Sequence, residues 1–431
     1  MSLLEYLILD KKTEQGKTFG TYKTKIVYLL HPGGTDVEKK VNNLMFPVVM
    51  LSTALGLRQI SMTIVTPFIS TYCKDLIGYT PLLAGLAVGA FGLMQAIFQI
   101  PFGILSDRFG NKKIMIGGLS LVVIGLILAY FANNIGLLIF ARALQGSGAV
   151  IGVGYSWVAG LAGDRNRTKA MSILGAFISA AAALAFAIGP LLRGIMSVNW
   201  MFMAGAILLF ANELYILFFV KDTKGPENNN IPRGGDIRIL LKNRTFVIMN
   251  LAAFINNFIM MSVFYAVPFY IDTVTGQTGM WKIFIPAIAV AIIPMKFSTK
   301  WADKDHLNSV LIGAFLISCA GILFFFEKNS YVFLLIGTTL FMCGYISIAT
   351  IVATDVNNIV GDRYRGTANG IFNSFQYVGN FAGALVTGAV WTISQTFAWV
   401  LLVCVGVCGM LVIVFGKPQN GKNINREETI R

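Results

Sequence analysis

GDRNRTKAMSI, at residues 163–173, returns as GDRYRGTANGI at residues 361–371. The copies share the pattern GDRxRxxAxxI and carry Gly163 onto Gly361, an offset of 198 residues. Like segments at a fixed spacing mark an internal repeat, and the same offset carries Asp107 onto Asp305. Each copy is a basic turn between two long apolar runs. The chain therefore reads as two halves of like build, a parallel repeat of the kind that flanks a midplane site and rocks about it.

The apolar runs on either side decide the solvent. Of 431 residues, 56% are hydrophobic and 13% charged, against roughly 25% charged in a soluble domain. Bilayer hydrocarbon about 30 Å thick needs about 20 mostly apolar residues per crossing, and such runs recur from Leu44 to Phe415. They predict an all-α membrane protein of twelve spans with cytoplasmic termini. The first six fall near residues 44–71, 82–105, 113–132, 136–162, 168–193 and 199–220. After a polar loop, 221–243, the second six fall near 244–271, 279–298, 308–326, 331–359, 366–392 and 396–416. The domains expected are a cytoplasmic tail (1–43), a six-helix bundle (44–220), the central loop (221–243), a second bundle (244–416) and a C-terminal tail (417–431).

Charge placement orients the chain. Most of the 34 lysines and arginines lie in the tails and cytoplasmic loops, whereas the external loops hold Lys74, Lys282 and Lys328. That asymmetry is the positive-inside signature, so the net charge of +14 points to membrane topology rather than to nucleic acid. The tail before residue 44 has an apolar run only at Ile26–Leu30, too short for a span or a signal peptide. It reads as a solvated segment on the anionic inner leaflet.

Several residue types exclude other chemistries. The five cysteines have no CxxC spacing, and the two histidines, His31 and His306, fall in the tail and a cytoplasmic loop. No metal set is expected, and a phosphate-cradling GxxxxGK[ST] loop is absent from the sequence. Neither an enzyme nor a nucleotide-driven pump is indicated, and no cofactor is expected.

Charged residues inside apolar runs carry the functional argument. Arg58 lies about 14 residues into its span, some 21 Å at about 1.5 Å per residue, near the midplane. A charge there costs roughly 3 kcal/mol on insertion scales, so Arg58 should face a watery cavity or an acid, and Arg142 in span four invites the same argument. Glu213 in span six and Asp355 near the inner end of span ten are the intramembrane acids, and burial would favour their protonation. Gln95, Gln99, Asn256, Asn257, Asn373, Gln376 and Asn380 stand among Met260, Phe264 and Tyr265, a mixture suited to varied amphipathic ligands. Bonds between helices are the plainer role for some of these amides.

The stretch between spans two and three, GILSDRFGNKK (residues 103–113), resembles the signature loop of the major facilitator superfamily. LIFARALQGSGA (138–149) resembles the RxxQG motif of that superfamily's proton-coupled drug exporters, and AIGPLLRG (187–194) their antiporter motif. LRQISMTIVTPF, QAIFQIPFGILSDR and NRTKAM also resemble segments of bacterial YajR-like exporters. The resemblance covers residues 44–416. It implies a gating role for Gly103, Asp107, Arg108, Gly110 and Lys112, with Asp107 holding the halves together on the inner side. It further implies proton coupling at Arg142 and Gln145 and helix bending at Gly189 and Pro190. Asn111 stands where the family usually has arginine, which breaks any relay through that position to Asp164.

The resulting expectation is a monomeric inner-membrane carrier exporting small amphipathic molecules in exchange for protons. The alternatives are a carrier of an anionic metabolite or lipid headgroup, suggested by Arg58 and Arg142 without an acid in span one, and a membrane sensor that transports nothing.

Overall fold

In a bilayer every backbone N–H and C=O must be satisfied within the protein, which leaves helices as the way for such runs to cross. The computed structural model describes residues 36–220, 222, 234–276, 279–360 and 365–419, and they are helical almost throughout. Eleven of the described helices are long and apolar enough to cross a membrane: Phe46–Asp75, Pro81–Ser106, Asn111–Tyr130, Ile135–Ala162, Lys169–Arg193, Val198–Phe219, Arg244–Thr275, Trp281–Lys304, Leu307–Phe326, Tyr331–Ile359 and Gln395–Gly416. A further 27-residue helix, Arg365–Trp391, occupies the expected eleventh span. Its amides, Asn369, Asn373, Gln376 and Asn380, lower its apolarity, and it packs chiefly on spans two and seven. That interior position makes the polarity tolerable. The fold is thus twelve spans in two six-helix halves.

Local chemistry sets many helix starts. The side chains of Thr80, Asn134, Asn243, Ser330 and Ser394 accept from the backbone N–H groups of Leu83, Leu137, Phe246, Phe333 and Phe397, satisfying donors that a helix start leaves open. At the outer ends of spans one and four, Ile77 donates to the Asn133 carbonyl at 3.1 Å and Ile135 to the Ile77 carbonyl at 3.0 Å, tying the two ends together.

Three features depart from the sequence reading. The first helix runs Asp36–Thr63, starting before the apolar run at 44 because helix propagates readily through the charged segment ahead of it. Span four is broken: Ile135–Ser147 ends, residues 148–150 are not helical, and helix resumes at Ile151. Helical bonding then continues from Ile151 to Arg193 without a loop. The Tyr155 hydroxyl nevertheless lies 3.4 Å from where a Cβ on Gly175 would sit, although a straight helix would separate residues so far apart by about 30 Å. The chain therefore bends back between Tyr155 and Gly175.

Helix pairing exposes the repeat. Span three packs on four and six as span nine packs on ten and twelve, and span two packs on four as span eight does on ten. Glycines make corresponding contacts. A Cβ on Gly125 would stand 2.9 Å from the Ala141 carbonyl oxygen, and one on Gly321 2.7 Å from that of Gly337, so each bundle packs backbone to backbone. The largest packing between the halves joins spans two and eleven.

Candidate functional site

Arg58, only 1% exposed, donates to Gln95 Oε1 at 3.1 Å, and Gln95 Nε2 donates to Gln99 Oε1 at 3.3 Å. Gln99 Nε2 in turn lies 3.0 Å from the Cβ position of Gly152, just past the break in span four. Arg142 is buried as deeply. One terminal nitrogen donates to Gln145 Oε1 at 2.7 Å, Gln145 Nε2 donates to the Gly125 carbonyl at 3.0 Å, and the guanidinium stands 5.0 Å from the centre of the Phe91 ring. Gln145 thus orients Arg142 and locks span four to span three. Arg142 follows the helix start at Ile135 by seven residues, about 10 Å at about 1.5 Å each. It therefore lies nearer the outer face than Arg58, not at the midplane.

Both guanidiniums are met by neutral groups. Neither makes an ion pair among the described residues, and each Nε is without a hydrogen-bond partner there. The intramembrane acids do not supply one. Glu213 accepts from Ser120 Oγ at 2.5 Å, a bond between spans six and three. Asp355 lies with Thr299, Asp303, Thr354 and Asn358 around a recess at the inner ends of spans eight to ten.

Aromatic rings line the seam between the halves. Phe91 meets Tyr377 of span eleven edge to face, with ring centres 6.4 Å apart, and Phe186 stacks on Phe264 at 4.9 Å, which stacks on Phe284 at 5.7 Å. Tyr377 lies near enough to Arg58 and Tyr155 for their charges to be felt, and its ring contact with Phe91 fixes it against the N-half. Asn373 and Gln376 are half-buried, and the buried Asn380 Oδ1 has no partner among the described residues. The other amides serve structure: Asn256 donates to the Tyr345 carbonyl and Asn257 to that of Ala253.

On the outer side the halves close on each other. Tyr265 donates to the Pro81 carbonyl at 2.8 Å, and the Lys74 ammonium sits 4.4 Å from the Phe269 ring centre. A Cβ on Gly388 would stand 2.6 Å from the Pro81 carbonyl oxygen, and one on Gly89 3.0 Å from that of Phe381.

The motif residues divide. The side chain of Asp107 lies outside the described residues, as do those of Asp164 and Asp305. Gly110 has φ +93°, in the region that favours glycine, and turns span two into span three. Gly103 has open space at its Cβ position, and Arg108 is exposed. Lys112 donates to the Leu217 and Val220 carbonyls, both at 2.8 Å, and so caps the C-terminal end of span six within one half. Asn111 is buried, with no partner for either side-chain polar atom among the described residues. Gly189 lets span five approach span one, since its Cβ would lie 2.6 Å from the Ile64 carbonyl oxygen, and Pro190 is buried beside it. Sequence reasoning missed Phe91, Tyr155, Tyr377 and Lys74. Helical spacing was the available signal, because Phe91 precedes Gln95 by one turn and Tyr377 lies one turn from both Asn373 and Asn380.

The family model described as Major Facilitator Superfamily matches residues 51–384. "Inner membrane transport protein YajR" of Escherichia coli (strain K12) is 28% identical over 344 residues, covering 78% of this chain and 76% of that protein. "Quinolone resistance protein NorA" of Staphylococcus aureus is 23% identical over 393 residues, covering 90% and 98%. A solved bacterial homolog to the human lysosomal transporter Spinster, inward-facing and occupied, aligns with TM-score 0.67 at 14% identity over 90% of this chain and 98% of that one.

Proposed function

The chain belongs to the Major Facilitator Superfamily, a multi-pass carrier of the inner membrane, and from that premise we propose that it exports small amphipathic molecules by alternating access, driven by inward proton movement. The observation that carries this reading is the seam between the halves, where buried arginines and open amides stand beside stacked rings and the outer side is closed. Such a surface offers adaptable apolar contact together with a few polar anchors. The names of YajR and NorA support transport and resistance-type export.

Proton influx supplies about 2.3 kcal/mol per charge per 100 mV, enough to bias a carrier whose two states differ by a few kcal/mol. Arg142 and Gln145 carry the coupling motif in this proposal. Asp107 and Asp355 are the carboxylates assigned to take up the proton in this proposal, and Glu213 bonds Ser120 between spans six and three.

The test is efflux of amphipathic dyes from energised cells, with an uncoupler and the variants Asp107→Asn and Arg142→Ala. Uncoupler-sensitive efflux that both variants reduce at least ~10-fold is expected. Efflux indifferent to the uncoupler removes the proton, and absence of gradient-driven flux favours a sensor.

A further inference from the structure

We propose that the seam between the halves selects molecules bearing an anionic group, bound between Arg58 of the N-half and Tyr377 of the C-half. The proposal deepens the export reading above and rests on it for the steps after binding.

Charge accounting carries the argument. Burying a cation in a membrane protein is costly unless a counter-charge or a full set of acceptors meets it. Arg58 and Arg142 each have one amide acceptor, and Arg142 adds a ring face. Neither makes an ion pair among the described residues, and both Nε atoms are unpartnered there. Among the described residues, the carboxylates nearest in the fold are bonded elsewhere or stand at the ends of the spans. Glu213 is bonded to Ser120, Asp355 lies at the inner ends of spans eight to ten, and Asp75 and Asp272 stand at the outer ends of spans one and seven. Two positive charges without a counter-ion among the described residues, within low-dielectric walls, attract anions and repel cations.

The neighbouring groups fit the same ligand. Tyr377 meets Phe91 of the N-half across the seam, and its hydroxyl, with the amides of Asn373, Gln376 and Asn380, offers further hydrogen bonds to carboxylate or sulfonate oxygens. The rings of Phe91, Phe186 and Phe264 suit an aromatic body attached to that group. An anchor on each half also gives the ligand a way to report occupancy across the seam. The class indicated is a soluble aromatic or otherwise amphipathic organic anion.

The experiment measures equilibrium binding to the full chain in phosphatidylcholine nanodiscs, where no anionic lipid competes. Carboxyfluorescein and rhodamine 123 share a xanthene scaffold and differ in charge, and fluorescence anisotropy reads both. Carboxyfluorescein should bind at least ~10-fold more tightly, with an affinity that falls as salt rises. Arg58→Gln should weaken it about 10-fold while Arg58→Lys retains most of it, and Tyr377→Phe should weaken it about 3-fold without changing the melting temperature. Equal or tighter binding of rhodamine 123, or no binding of either dye, overturns the proposal. Because binding is read apart from movement, the two readings fail separately. A bound dye that is not transported overturns export alone, and preferred binding and export of rhodamine 123 overturns the anion preference alone.

Discussion

An arginine inside a helix that crosses a bilayer stands out in any sequence, and both such residues prove to be deeply buried beside amides. Glu213 was equally visible as a charge in an apolar run, yet it is bonded to Ser120 across spans six and three. The difference lies in helix phase: which way a side chain points depends on neighbours that the sequence does not place. Replacing Glu213 by Gln keeps a hydrogen-bonding group opposite Ser120, so uncoupler-sensitive dye efflux should stay within about twofold of wild type while the melting temperature changes little, a side-chain hydrogen bond being worth about 0.5–1.5 kcal/mol. A loss of coupling with unchanged stability would make Glu213 the proton carrier instead. Phe91 and Tyr377 were not singled out beforehand because aromatic residues are ordinary in membrane spans. Their importance comes from the partners that packing gives them.

At the scale of the element, span ends were legible because the apolar runs stop where Ser, Thr and Asn side chains cap helix starts in the structure. The break at residues 148–150 was not, since glycines in a membrane helix serve close packing as readily as interruption. Span eleven shows how polarity reports position: a helix rich in amides packs between spans two and seven, where it meets protein on both sides. Gly388 is one point of its close approach to span two. A side chain there would collide with the Pro81 carbonyl, 2.6 Å from the Cβ position, and with the Gly85 Cα at 3.0 Å, and backbone atoms yield less readily than a flexible side chain. Gly388→Leu should therefore hold the outer seam apart and cut transport at least ~10-fold, because each cycle must close it. Spin labels at Ser197→Cys and Lys282→Cys, read by pulsed electron resonance, should move to longer distances. An unchanged distance distribution would mean that the seam tolerates the side chain.

For the molecule as a whole, the repeat was legible from six identical residues in two eleven-residue segments at a fixed offset, and the matching pairings of spans three, four and six with nine, ten and twelve give it physical form. Two like bundles meeting along spans two and eleven can rock about that seam, opening one side as the other closes. In this structure Lys74 against Phe269 and Tyr265 against the Pro81 carbonyl hold the outer side shut. The direct test of alternating access is to fasten that contact. In a background lacking the five native cysteines, Lys74→Cys and Phe269→Cys would be bridged with a bifunctional methanethiosulfonate while dye efflux is followed. The account predicts that bridging stops efflux and that dithiothreitol restores it. Undiminished efflux from fully bridged protein would contradict it.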